Sequence, residues 1–454
     1  MGAATIRRAP CRNLKETMDL QNSFFPATRS DLDAMFNDVV LFAEGSKVPL
    51  GFGYLGCDGQ VLSDRPVELW ITCRMTHVFS LAAMKGLPGA AALARHGVHC
   101  LASYFEDPIY GGWFSAIEQR LGEDGNAVPL DGPKEAYAHA FVILASNSAA
   151  EAGIEGAAEL LERALADQKV HWWREEDGHV VEAWNRSFTE CEDYRGINSN
   201  MHTVEAYLAA ADSTGNEELA TNALRVCSFV FRQARAHSWR IPEHYDTEWL
   251  TIPTYNLDDP AHPFRPFGVT PGHGLEWSRL MLHARGTAKS FGWEAPAWLF
   301  EGAVNLFNRA VADAWGIGGR PGFIYTTDLN GRPVVEARMH WVAAEGIGAA
   351  VVLQKVLDEE AGTLPTYLDN SFVRDRLARN LQAWWDYYLE CYLDSPGAWF
   401  HELDRANQVS TRTWDGKPDA YHVSQMLLLP GLPSSPTFAA AIRAQVEAST
   451  AAEG

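Results

Sequence analysis

NSNMHTVEAYLAAADSTGNEELATNALRVCSFVFRQARA, residues 198–236, carries apolar side chains at helical spacing on both sides of the four-residue turn Asp212-Ser213-Thr214-Gly215. Two helices joined by so short a link run antiparallel as a hairpin. The link Lys85-Gly86-Leu87-Pro88 makes the same kind of turn between two other periodic segments. Outward from these hairpins, helical periodicity recurs along the chain and sustained strand alternation is scarce. The spacing predicts twelve helices, near 29–44, 67–86, 88–106, 134–150, 154–168, 198–212, 215–236, 271–288, 295–315, 338–357, 366–391 and 418–430.

The connections alternate in length. Long segments, 45–66, 107–133, 169–197, 237–270, 316–337 and 392–417, precede every even-numbered helix. Loops of that length in a compact protein usually carry function. Six hairpins linked briefly at one end and at length at the other describe an all-α, closed (α/α)6 toroid whose even helices form the inner ring. Small β-ribbons are expected in the loops over the mouth, for instance from Gly112-Trp113-Phe114-Ser115-Ala116-Ile117-Glu118 into Glu123-Asp124-Gly125-Asn126. With no Pro/Ser-rich linker and no low-complexity tract, residues 1–454 read as one domain.

If the loops surround one mouth, chemistry belongs at the starts of the even helices. Thr270-Pro271-Gly272-His273-Gly274-Leu275-Glu276-Trp277 has that character: Thr270 is a candidate N-cap, Pro271 suits the first helical position, and His273 and Glu276 share a face. Histidine also occurs near the other five starts, as His77 after Arg74, His139 after Tyr137, His202 after Asn198, His340 before Trp341 and Glu345, and His422 after Tyr421. Imidazole titrates near neutral pH, so paired histidines with carboxylate neighbours suit taking a proton from carbon and returning it.

Composition narrows the partners. A net charge of -21 speaks against nucleic acid and anionic membranes as general partners, although one or two arginines would suffice for a small anionic substrate. No apolar run is long enough to span a bilayer, and the N-terminal MGAATIRRAPCRNLKETMDL has no apolar segment after Arg7-Arg8, so a cytoplasmic protein is expected. The seven scattered cysteines form no C-x-x-C pair and read as reduced thiols. Without H-E-x-x-H, a Cys/His cluster or an aspartate-rich loop, no metal is expected. No G-x-S-x-G or phosphate-binding G-x-x-x-x-G-K occurs, and Gly51-Phe52-Gly53-Tyr54 and Gly316-Ile317-Gly318-Gly319 read as turns, so no cofactor is expected. A homo-oligomer stays open.

Taken together, Arg74-Met75-Thr76-His77-Val78-Phe79-Ser80, Tyr110-Gly111-Gly112-Trp113-Phe114, Asn198-Ser199-Asn200-Met201-His202, Pro271-Gly272-His273 with Glu276-Trp277, and Lys417-Pro418-Asp419 with Tyr421-His422 resemble the N-acylglucosamine 2-epimerase superfamily. The resemblance runs from about Gly51 to Gln425 and is closest to the aldose-ketose isomerase branch that holds sulfoquinovose and mannose isomerases. It implies an (α/α)6 barrel and a metal-independent isomerase working through a cis-enediol. His273 would assist ring opening and His422 would shuttle the proton between C1 and C2. Glu276 would orient His273, while Arg74, Asn198, His202 and Glu345 would bind hydroxyls or meet enediolate charge. Arg74 and Arg265 are the candidates to hold an anionic C6 group, which places sulfoquinovose first as substrate, with mannose and fructose as weaker ones. Plain mannose isomerase and N-acylglucosamine 2-epimerase are the next readings. An (α/α)6 glycoside hydrolase with two carboxylates is a more distant one.

Each assignment has a structural competitor. Glu276 and Asn198 could serve only as helix caps or pairs, and Arg74 as a buried ion-pair partner. Tyr110 and Trp113 could stack on sugar or sit in the core. His77 and His139 are expected to hydrogen-bond within the barrel.

Overall fold

The structure, a computed structural model, describes residues 24–453 except 366, 368 and 369; the stretch examined for a leader, and Cys11 with it, lies outside the described residues. Whether a helix is amphipathic or apolar all round decides its place in the ring. In Glu217–Ala236 the buried residues Leu219, Ala223, Val226, Val230 and Ala234 recur at spacings of three and four, which gives one apolar face and an outer position. In Ala136–Glu151, by contrast, thirteen of the fourteen positions from Ala136 to Ala149 are buried, all but Tyr137, as an inner helix requires.

All twelve expected helices are present: α1 (Arg29–Glu44), α2 (Leu69–Met84), α3 (Ala90–Cys100), α4 (Ala136–Glu151), α5 (Ala157–Asp167), α6 (Ile197–Thr214), α7 (Glu217–Ala236), α8 (Pro271–Ser290), α9 (Ala297–Ala314), α10 (His340–Glu359), α11 (Ser371–Cys391) and α12 (Tyr421–Leu428). The even helices pack in sequence, α2 on α4, then α6, α8, α10 and α12, and α12 returns to α2. Each odd helix covers its hairpin partner outside, and α1 closes the toroid by packing on α12. A thirteenth helix, α13 (Phe438–Glu453), was not expected. It lies across α2, α4 and α6 and stoppers the end opposite the mouth.

The long loops are stitched into a collar. The residues leading into one inner helix pair with the loop ahead of the next: Val67–Glu68 with Ala116 and Ile117, Lys134–Glu135 with Ala183–Trp184, Arg195–Gly196 with His244–Tyr245, and Arg338–Met339 with Glu402–Leu403. Val269 bridges to Thr327 in the same way, and the Lys417 N–H donates to the Leu55 carbonyl, closing the circle. This pairing does the work that side-chain caps do elsewhere. None of the inner helices has a side-chain N-cap, and the first N–H of α2, α4, α6 and α10 donates to a carbonyl of the neighbouring loop. Thr270 is accordingly no side-chain cap, because its hydroxyl has no partner and its N–H donates to the Glu243 carboxylate at 3.1 Å. No described helix is long and apolar enough to cross a membrane, and the six described cysteines are unpaired.

Candidate active site

The collar leaves a cavity over the inner-helix starts, and six candidate residues line it: Arg74, Asn198, His202, His273, Glu276 and His422. Phe264 covers it from the loop ahead of α8, meeting Trp70, Tyr137 and Trp414 with ring centroids 5.5–6.0 Å apart. Among the described residues the cavity walls hold one permanent cation, Arg74.

His273 and His422 stand on either side of Trp341, whose indole lies 5.3 Å from one imidazole and 5.6 Å from the other. Gly272 makes room for it: a Cβ there would come within 2.6 Å of the Trp341 ring. Both imidazoles are held alike. His273 Nδ1 meets Glu243 Oε2 at 2.9 Å, and His422 Nδ1 meets Glu345 Oε1 at 2.9 Å. A carboxylate can only accept, so each Nδ1 carries the proton and each Nε2 is left unprotonated in the neutral ring. The His422 Nε2 lies 3.7 Å from Asp419 Oδ2.

The orienting residue of His273 is therefore Glu243, not Glu276. One Glu243 carboxylate takes both the Thr270 N–H and the His273 Nδ1–H, coupling the helix start to the ring. Glu276 instead points into the cavity with both oxygens buried and no hydrogen bond among the described residues. Of the basic side chains, Arg279 Nη2 lies 3.5 Å and His202 Nδ1 3.9 Å from its Oε1. Glu345, unlike Glu276, is not among the residues lining the cavity, and clasps Arg279 at 2.9 and 3.2 Å while holding His422. On α6 the same i, i+3 spacing does make a bond, since His202 Nδ1 meets Glu205 Oε2 at 3.3 Å.

Three carboxylates thus share the Arg279 guanidinium: Glu345, Glu276 and, at 3.9 Å, Glu205. Glu205 also accepts from the Tyr421 hydroxyl and from Gln425 Nε2 at 2.8 Å. Burial opposes charge on all three. For Glu205 the His202 hydrogen bond and Arg279 outweigh it, and for Glu345 Arg279 and His422 do, so both are held below the usual carboxylate range. Glu276 lacks such bonds. Burial and the neighbouring Glu345 push its carboxyl well above that range. Burial also lowers His202 to about 4 and His340 well below its ordinary value, so these rings are neutral at pH 7. The atoms of His202, Glu205 and Glu276 lie close enough together to ligate a metal, but Arg279 already supplies the positive charge at two of them.

Arg74 donates to Tyr137 Oη at 2.9 Å and to Asp419 Oδ2 at 3.3 Å. Burial works against ionising Asp419, but Arg74 and the adjacent imidazoles hold its carboxyl low. His401 sets that carboxylate in place by accepting the Asp419 N–H on Nε2 and donating Nδ1–H to the Trp399 carbonyl. Asn198 is not a cap: α6 is capped at Gly196, and the Asn198 Oδ1 is buried at the cavity without a hydrogen-bond partner among the described residues.

Three candidates lie elsewhere. Trp113 is core, 1% exposed, with its indole N–H on the Leu101 carbonyl, and Tyr110 is 47% exposed beside Arg186. Arg265 lines an outer groove, clasping Glu192 at 2.7 and 2.9 Å over the Tyr194 ring. His77 and His139 bond within the barrel as expected, to the Ser148 hydroxyl and to the Glu135 carbonyl and Trp113 N–H. Arg279 and Asp419 were within reach of the sequence, the first at i+3 from Glu276 in an otherwise apolar run. Glu243 carries no local signal, because it reaches His273 from thirty residues upstream, at the far end of the loop that leads into α8.

The family model for N-acylglucosamine 2-epimerase matches residues 51–426. A D-mannose isomerase of Thermobifida fusca is 43% identical over 420 residues, 92% of this chain and 97% of the relative. A D-mannose isomerase of Pseudomonas cannabina pv. alisalensis is 38% identical, over 88% of this chain and 92% of its own. A crystal structure of a D-mannose isomerase shares the fold with a TM-score of 0.78 at 24% identity, over 89% of this chain and 99% of that one. The chain belongs to the N-acylglucosamine 2-epimerase family.

Proposed function

We propose that this protein is an aldose-ketose isomerase that interconverts D-mannose and D-fructose through a cis-enediol. The observation that carries the reading is the pair of imidazoles flanking Trp341, each with Nδ1 fixed by a carboxylate and Nε2 left for the cavity. The identity of 43% to a D-mannose isomerase supports it.

His273 assists opening of the pyranose by moving the proton between the anomeric hydroxyl and the ring oxygen. His422 then takes the proton from C2 and returns it to C1 of the enediol. Arg74 offers a guanidinium already aligned by Asp419, so negative charge on the enediol oxygens meets a donor that needs no reorganisation. Asn198 and the neutral His202 bind hydroxyls, and Phe264, Trp70 and Trp414 keep water out. Reprotonation of C2 from the opposite face would yield the 2-epimer from the same enediol.

The charge balance favours a neutral sugar over one that is anionic at C6. Arg74, the one permanent cation among the described residues of the cavity walls, is already balanced by Asp419, and Arg265 pairs with Glu192 in the outer groove, so no surplus positive charge faces the substrate. An anionic group would instead meet the ionised Asp419. Incubating the protein with D-mannose, sulfoquinovose and an aryl mannoside tests this. Ketose from mannose at the highest kcat/KM is expected; faster turnover of sulfoquinovose would overturn the substrate, and release of the aryl alcohol would overturn the reaction.

A further inference from the structure

Isomerisation moves two protons, one between carbons and one between oxygens. His422 accounts for the carbon proton, while the hydroxyl proton that leaves O2 and the one that arrives on O1 need their own carrier. That group must lie in the same cavity, carry a proton at the start, and be free of bonds that would hold the proton elsewhere.

Glu276 meets these conditions in its placement. The Arg279 guanidinium carries one positive charge for three buried carboxyl groups, and two of them are fully engaged. Glu345 takes Arg279 in two hydrogen bonds and a third from His422, and Glu205 takes Tyr421, Gln425 and His202. Glu276 is 1% exposed, has no hydrogen bond among the described residues, and faces the cavity one helical turn from His273. The carboxyl with no donors of its own is the one that keeps a proton when like charges crowd. The ionised carboxyl of the cavity, Asp419, lies instead beside His422 and Arg74.

Resting on the isomerase reading, we propose that Glu276 enters the reaction as a carboxylic acid and carries the hydroxyl proton between O1 and O2. As His422 takes the proton from C2, Glu276 gives its proton to O1 of the open-chain aldehyde, and the C1=O bond becomes the enediol C–OH. The Glu276 carboxylate then accepts the proton of O2 while the His422 imidazolium returns its proton to C1, forming the C2 ketone. Glu276 ends protonated and His422 neutral, ready for the next cycle. No other reactant is consumed.

The isosteric variant Glu276→Gln separates a relay from a neutral hydrogen-bonding wall. Glutamine matches the shape and neutrality of the acid and can still donate to O1, but it cannot give up and regain a proton. Wild-type turnover of D-mannose is measured first, since its absence would remove the isomerase reading itself. With wild type active, the relay predicts that Glu276→Gln loses at least about 100-fold in kcat with KM changed by less than about threefold. It also predicts that exchange of the C2 proton with solvent deuterium falls less than net fructose formation, because His422 still works. Glu276→Asp should recover part of kcat. Near wild-type kcat in Glu276→Gln would overturn the relay, as would equal losses of exchange and isomerisation.

Discussion

Replacing Glu243 with Gln tests the arrangement that holds His273. One carboxylate serves two donors, the Thr270 N–H at 3.1 Å and the His273 Nδ1–H at 2.9 Å. A glutamine has one acceptor oxygen, so one of these donors would face an NH2 group. Either the start of α8 loses its anchor or the imidazole flips its tautomer and turns a protonated Nε2 to the cavity. A hydrogen bond to a charged group contributes roughly 1.5–3 kcal/mol, which corresponds to about 10- to 150-fold in rate if it is lost only where His273 acts. The loss should fall on ring opening. Steady-state kinetics on D-mannose, compared with D-glyceraldehyde, which is too short to close a ring, would read it. The expected result is a drop in kcat/KM of at least about 10-fold for mannose and a much smaller one for glyceraldehyde. Equal losses on both would refute the role of His273 in ring opening, and no loss would refute the role of Glu243.

Other consequences are open to measurement. Removing the shared cation with Arg279→Met leaves Glu345 and Glu205 buried without a counter-charge, and equilibrium urea unfolding should show a loss of roughly 3–5 kcal/mol; a loss under about 1 kcal/mol would contradict the shared-guanidinium picture. Because the folded-state pKa of Glu276 is raised by burial and by Glu345, folding takes up a proton above the unfolded value near ~4.3, and stability falls as pH rises through that window. Glu276→Gln removes this effect, so its stability relative to wild type should improve by up to about 1.4 kcal/mol per pH unit as pH rises above that unfolded value; parallel pH profiles would rule the raised pKa out. Phe438→Ala should cost roughly 3–5 kcal/mol if α13 stoppers the barrel, since Phe438 is 6% exposed beneath α2, α4 and α6; thermal unfolding unchanged from wild type would make α13 an ornament.

The ring was legible because the connections alternate in length, long segments preceding every even helix, and the structure adds that outer Glu217–Ala236 is apolar on one face while inner Ala136–Glu151 is apolar nearly all round. The turns at Lys85-Gly86-Leu87-Pro88 and Asp212-Ser213-Thr214-Gly215 then fixed the hairpins. The α13 stopper was missed because its role depends on the three helices it covers. In the site, His273, His422, His202, Asn198, Arg74 and Glu276 were legible because all sit in the first turns of inner helices, and closing the ring brings those turns together. Tyr110, Trp113 and Arg265 were misplaced because they belong to long loops, where no periodicity says which way a side chain points. Glu243 and Glu345 show the remaining limit. A histidine can be read from its own helix, but the carboxylate that sets its tautomer comes from thirty residues upstream in the loop ahead of it, or from a different helix.

The account rests on proton transfer by His422 between C2 and C1 of an aldose. Wild type incubated with D-mannose in deuterium oxide and followed by NMR tests this most directly. Fructose carrying deuterium at C1 is predicted, with both its formation and the C2 exchange of mannose abolished in His422→Ala. Fructose formed by His422→Ala at near wild-type rate, or mannose left unchanged by the wild-type protein, would contradict it.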